Sequence, residues 1–384
     1  MKLLQVTRAM KGGAVALGLA AALSPIGFGA PFQKPDTIYR VNSRTGKTQS
    51  ILGSVTADGL ETLSVTLKDD DTKSYDSSEI LRVVWGDVPS TFTDGAKYAK
   101  RLDWENAVSN YQEAASDMDS RPPVKAAARL RAIESMILWG ETEPARFADA
   151  VAEAERFIAE FADSRYYPMV RGLKARAAWL SGDANAARDG YKSLYEAGKG
   201  GAAGFAPILV ADAALQGGLA ALAAGDTGAG RELLTSAEGA FRGIETDDAS
   251  IKAQAATGQE IAALGELLSK VAREDFSGVQ SALDRAEDKA ETVGGKAAAK
   301  LALGKALLGQ EKPQEAILHF AWVSAMDHTS ADRRAEALVG IADASIAISA
   351  EKGPTQAKAA FERIVREYGG TPSARTAAER LKTM

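Results

Sequence analysis

Two hydrophobic periodicities divide this chain. Between Asp36 and Val88 apolar residues recur in short runs, Tyr39–Val41, Ser50–Val55, Leu60–Leu67 and Ile80–Trp85, separated by turn residues. Leu63, Val65 and Leu67 alternate with Ser64, Thr66 and Lys68, which turns one side of an extended strand to a core and the other to solvent. Asp58-Gly59 between two runs predicts a hairpin. Asp69-Asp70-Asp71 predicts the next turn; no ligands follow at the alternate positions of a calcium loop, so it reads as solvated. Four or five short strands in about fifty residues suffice only for a small barrel-like curl.

Beyond Pro89 the spacing of apolar residues changes to three and four, the signature of amphipathic helices. The helical segments break at Gly140, Gly182-Asp183, Gly225-Asp226 and Gln310-Glu311, and no strand pattern returns. Helix pairs recurring about every thirty-odd residues predict a solenoid, in which each pair buries its apolar face against its neighbours.

One stretch shows the repeat clearly. Leu303, Gly304 and Leu307 lie on a first helix, Ala316 and Phe320 on a second. A small residue lets the second helix approach, another small residue sits at the crossing, and a large plug follows one turn later. The same frame fits Gly95, Tyr98, Ala107, Tyr111 and Ala114, and less fully Ala175, Ala187 and Tyr191, then Gly217, Ala229 and Leu233. Ala357 and Phe361 match a second helix, although Glu351–Pro354 shifts the first. These spacings resemble the tetratricopeptide repeat, in the form found in bacterial cell-envelope proteins, whose junctions look like Tyr368-Gly-Gly-Thr-Pro372-Ser373. The segment around Asp58-Gly59 is similar to small SH3-like or Sm-like barrels.

The resemblance implies a mainly α fold: an α-solenoid of tetratricopeptide-like helix pairs preceded by a small β-barrel-like module. The divisions expected are a signal peptide over 1–29, a linker over 30–35, the β module over 36–89 and the array over 90–384. About seven pairs are expected, with a capping helix from Thr376 to Lys382. Between Ile251 and Glu291 the motif is lost and longer helices are expected. The resemblance further implies a scaffold that binds a protein partner along the concave face lined by the first helices.

Composition narrows the chemistry. With 46 basic and 51 acidic residues the net charge of -5 is too mild and mixed for a nucleic-acid binder. There is no cysteine, hence no disulfide or thiolate, and His319 and His328 are the only histidines, too few and unsuitably spaced for a zinc site. Gly294-Gly295-Lys296 lacks the first glycine and the Ser/Thr of a phosphate loop, with Ala290 and Ala297 in those places. Gly198-Lys-Gly-Gly-Ala-Ala-Gly204 follows a helix instead of a strand and reads as an inter-repeat loop. Carboxylate pairs such as Glu153 with Glu155 face different ways on a helix. No catalytic constellation, cofactor or metal is indicated. Trp104, Trp139, Trp179 and Trp322 read as packing residues.

Charge is segregated between the two helices of each pair. Basic residues outnumber acidic ones about two to one on first helices, and the ratio reverses on second helices. Arg129, Arg171, Lys174, Arg176, Lys300 and Lys305 are therefore candidate contacts for an acidic or C-terminal carboxylate-bearing partner in the groove. Charge balance within pairs is the competing account. A carbohydrate or peptidoglycan polymer is the alternative ligand.

The N-terminus sets the compartment. Lys2, Arg8 and Lys11 precede the apolar Ala14–Leu23, then Ser24-Pro25 and the small residues Gly27 and Gly29. That is the layout of a secretory signal; an apolar stretch of ten residues is half of the roughly twenty needed to span a bilayer. The expectation is export to the periplasm or envelope with no remaining membrane span, an uncleaved anchor being the alternative. Cleavage would take the charge from -5 to about -8 by removing three cations. N-terminal sequencing of the exported protein should begin at Ala30 or Pro31. Met1 retained in a membrane fraction would establish the anchor instead.

Overall fold

The computed structural model describes residues 34–42 and 47–384, so the leader lies outside the described residues. Five strands, β1 (Asp36–Val41), β2 (Thr48–Asp58), β3 (Thr62–Thr66), β4 (Thr72–Asp76) and β5 (Ile80–Val84), form one antiparallel sheet in the order β4-β3-β2-β1-β5. A 3₁₀ turn, Ser77–Glu79, joins β4 to β5. The first half of β2 pairs with β1 and the second half with β3. The sheet folds over where these halves meet at Gly53, because a Cβ there would lie 2.5 Å from Val65 and 2.6 Å from the Thr66 carbonyl. Ile38, Val55, Leu63, Val65 and Ile80 fill the interior. Four of the strands coincide with the apolar runs. The fifth, β4, is the polar segment TKSYD, whose register is imposed by β3 and not by any pattern of its own.

Two buried ion pairs weld this module to the helices. The Asp36 carboxylate accepts from the Val55 and Gly86 N–H groups, both at 2.8 Å, and from both terminal nitrogens of Arg121 at 2.9 Å. Asp58 accepts from Arg165 at 2.7 and 3.2 Å. Gly59 bridges to Ser164, and the Leu60 carbonyl sits against Gly204, whose φ of +78° and absent Cβ both require glycine. The glycine-rich loop that reads as an inter-repeat linker is thus the seat of the β2–β3 turn.

Helices then follow in pairs: α1 (Ser90–Lys100) with α2 (Trp104–Ser116), and α3 (Pro122–Gly140) with α4 (Arg146–Glu160). Next come α5 (Tyr167–Ser181) with α6 (Ala184–Gly198), and α7 (Pro207–Ala223) with α8 (Thr227–Arg242). The fifth pair has a first helix in two pieces, α9 (Ala249–Ala263) and α10 (Gly265–Ala272), against α11 (Val279–Lys289). Last are α12 (Val293–Gly309) with α13 (Pro313–Met326), α14 (Ala331–Ile348) with α15 (Gly353–Glu367), and a final α16 (Pro372–Thr383).

Two of the breaks seen in the sequence, Gly182-Asp183 and Gly225-Asp226, are turn-and-cap units, and Leu102-Asp103 is a third. Leu102, Gly182 and Gly225 turn the chain with φ of 64°, 90° and 83°. The following Asp103, Asp183 and Asp226 then accept from the N–H three residues on, at 3.3, 2.9 and 3.0 Å, starting the second helix. Before α13, Glu311 turns at φ 61° and Pro313 opens the helix, needing no donor there.

Between helices the contact that recurs is a large side chain on a glycine. Phe320 is clamped: a Cβ on Gly304 would lie 2.7 Å from its ring, and one on Gly340 of the next pair 2.6 Å. Tyr111 lies on Gly95, Phe147 on Gly140 and Phe241 on Gly258. Ala107, Ala114, Leu303, Leu307, Ala316, Ala357 and Phe361 are all buried, and Tyr98 packs beside Tyr111. In the fourth pair the frame sits one residue later than the sequence suggests. Leu234 is the plug, held between Gly218 and Gly265, with Gly230 at the crossing. In the fifth pair the structure departs from the expectation of longer helices. Leu264 makes one tight turn that splits the first helix, and α11 has only 11 residues.

Replacing Gly304 by Leu should overpack the Phe320 crossing and cost about 1–3 kcal/mol. A thermal melt should show the loss; an unchanged midpoint would contradict the clamp.

Candidate binding cleft

The array coils until its end meets its middle. Arg176 on α5 pairs with Asp332 at the start of α14, at 2.8 Å across 156 residues. Arg375 on α16 donates to the Leu180 carbonyl at the end of α5, at 2.7 Å. Gly370 packs on Glu141 at the end of α3, leaving no room for a Cβ. These contacts border an open-sided cavity of about 860 Å³, walled mainly by first helices: α5, α7, the broken α9 and α10, α12, α14 and α16. Its walls are largely apolar, with Leu215, Leu219, Ile261 and Leu301 beside Trp179, Phe241 and Phe276.

The cations expected to line this groove are dispersed and satisfied. Arg129 pairs with Glu160 at 2.9 Å and Glu153 at 3.7 Å, both on the second helix of its own pair. Lys174 holds Glu155 at 2.8 Å, and Lys300 holds Glu287 at 2.6 Å while lying 5.2 Å from the Trp322 ring. Arg171 donates to the Ser193 hydroxyl at 2.7 Å, and Arg176 is taken up by the closure. Of the six, Lys305 alone is on the cavity wall, and it pairs with Glu336 there. Helices of other pairs therefore supply countercharges to Lys174, Arg176, Lys300 and Lys305, so on α5 and α12 the balance runs between pairs and not within them. His319 is half-buried; burial first, and Lys300 second, hold its pKa below the ordinary value, so it is neutral.

What sequence reasoning missed is Asp212. It is the one charged residue of the 17 in α7, 9% exposed, and it lies on the cavity wall. Its Oδ1 accepts a single 3.3 Å hydrogen bond from Gln216, and no ion pair reaches it among the described residues. Tyr191 lies close by on the same wall; burial raises its hydroxyl pKa well above the ordinary value, against the pull of Arg176, so it stays neutral. Around the whole wall Asp212, Glu274, Asp332 and Glu336 face Lys305 and Arg333, and Arg333 is itself held by Asp327 at 2.7 Å. The lining is acidic on balance, the reverse of a basic groove.

No family model and no curated protein matches the sequence. Among solved structures the chain is similar to a tetratricopeptide repeat protein from Parabacteroides merdae ATCC 43184, with TM-score 0.52 and 10% identity over 76% of this chain and 96% of that one. This is a tetratricopeptide-repeat fold. A further similarity is to a Rap protein complexed with competence and sporulation factor, at TM-score 0.45 and 13% identity over 73% of this chain and 76% of that one. The tetratricopeptide frame fits what the residues show: small–small–large spacings on successive pairs, with first helices inside. No described helix is long and apolar enough to cross a membrane.

The closure gives a pH signature. Burial works to raise the Asp332 pKa, but the Arg176 guanidinium outweighs it and holds the carboxyl below the usual range. A carboxylate depressed in the folded state contributes stability that is complete above the unfolded value of about 3.9 and is lost as pH falls through the folded value. Asp332→Asn should therefore melt earlier than the parent at neutral pH. The gap should hold down to about pH 4 and narrow below it. A gap independent of pH would show that Asp332 is not ionised in the closure.

Proposed function

We propose that this tetratricopeptide-repeat chain is an exported envelope adaptor, binding a segment of a protein partner inside the cavity formed by its first helices. The observation that carries this reading is the cavity itself. At about 860 Å³ it falls in the range of preformed binding sites, roughly 300–1,000 Å³, and it combines apolar walls with a few polar groups. A side chain or short peptide stretch fits such a space; a folded surface does not. Export rests on the basic and apolar leader.

The polymer-binding alternative is less well supported. A sugar platform needs open aromatic faces, yet Arg146 lies 4.0 Å from the Trp139 ring, and Lys300 and Arg121 similarly cover Trp322 and Trp85. Trp179 lines the cavity, half-buried, and its side chain hydrogen-bonds Asp332.

Photo-crosslinking tests the reading. A benzoylphenylalanine at Leu219, on the cavity wall, should give protein adducts in cells that make the full chain with its own leader. The same probe at Leu318, 69% exposed on α13, should give none of them. Adducts from Leu318 alone, or from neither site, would overturn cavity binding.

A further inference from the structure

Every carboxylate on the cavity wall but two has a cation. Asp332 is held by Arg176 and Glu336 by Lys305. Glu274 stands exposed at the rim, where water solvates it. Asp212 differs because it is largely buried while its Oδ2 stays accessible from the cavity. A carboxylate taken from water without a countercharge is costly, and proteins as a rule pair such groups or fill them with a ligand. Its single contact, with Gln216, uses one oxygen, and Oδ2 is left without a donor. Gln216 is itself a cavity residue, so the amide does not shield the carboxylate from the space in front of it.

We infer that Asp212 is the anchor of a subsite for a positively charged side chain, so that the segment taken by this cavity carries a lysine or arginine flanked by apolar residues. The carboxylate supplies the charge, and the leucines and aromatic rings around it accept the flanking side chains. An acidic segment is disfavoured twice, by Asp212 and by the net acidity of the wall, while the cations that would have recruited it are engaged elsewhere. Arginine is the better fit where Oδ2 of Asp212 and the Gln216 carboxamide oxygen can both receive it, since its guanidinium offers several donors in one plane. The inference rests on the reading of the cavity as a peptide site and adds its charge preference.

Selection of a phage-displayed library of random dodecapeptides on the full exported chain tests it, with fluorescence anisotropy on the selected peptides. Wild-type protein should select sequences with one Lys or Arg between apolar residues. Changing that cation to norleucine should weaken binding about tenfold or more, the worth of a charge-assisted hydrogen bond. Asp212→Asn should bind the cationic and norleucine peptides alike, and Asp212→Glu should restore the preference. Circular dichroism melts of both variants verify the fold, and the shape-conserving asparagine keeps the Gln216 contact. Selection of apolar or acidic peptides without a cation, or a preference untouched by Asp212→Asn, would overturn the charge inference and leave peptide binding standing. Selection of no peptide at all, together with no adduct from Leu219, would overturn both.

Discussion

The close approach of a large side chain to a glycine on a neighbouring helix sets the geometry of this molecule. Phe320 is held between Gly304 and Gly340, and Leu234 between Gly218 and Gly265. In each case one glycine belongs to the same pair and the other to the next, so a single plug fixes both the crossing within a pair and the stacking of pairs. Close packing leaves little room for adjustment, and each such contact transmits its angle to the following pair. The coil is the sum of those angles. It brings α14 and α16 back to α5, and the cavity is what the coil encloses.

That rule explains how far the sequence could be read. A spacing of small, small and large is local, so the frames at Gly95 and Gly304 are visible without any structure. In the fourth pair two adjacent glycines, Gly217 and Gly218, and two adjacent leucines, Leu233 and Leu234, offer the frame twice, and tertiary contact with Gly265 selects the later one. The split first helix at Leu264 has no local signal of comparable strength. Nor does strand β4, whose polar residues are held by the register of β3.

Charge was legible as an inventory and misleading as a location. The excess of cations on first helices is real, but their partners lie on other helices, sometimes as far away as Asp332 from Arg176. Pairing is a property of three-dimensional neighbours, which a count along one helix does not contain. Asp212 illustrates the converse. One acid in the apolar run Pro207–Ala223 looks unremarkable in a tally of charges, yet an isolated charge on the most apolar first helix was the single local clue to the site.

The strengths of the contacts that shape the cavity are unequal. Along the array each pair is joined to the next by continuous apolar packing, and the β module is fastened by two buried, multiply hydrogen-bonded ion pairs at Asp36 and Asp58. The closure between α5 and the last pair relies on the Arg176–Asp332 ion pair, the Arg375 bond to a backbone carbonyl and the Gly370 contact. Stability is distributed accordingly: segments with few apolar contacts open at lower free energy than segments with many. α14, α15 and α16 share their own core around Phe361 and Tyr368, while Phe320 ties α14 to α12 and α13. On that side the cavity is therefore bounded by a seam of polar and backbone contacts that holds no aromatic–glycine plug. Its remaining walls stay preformed, which lowers the ordering cost that a bound segment must meet.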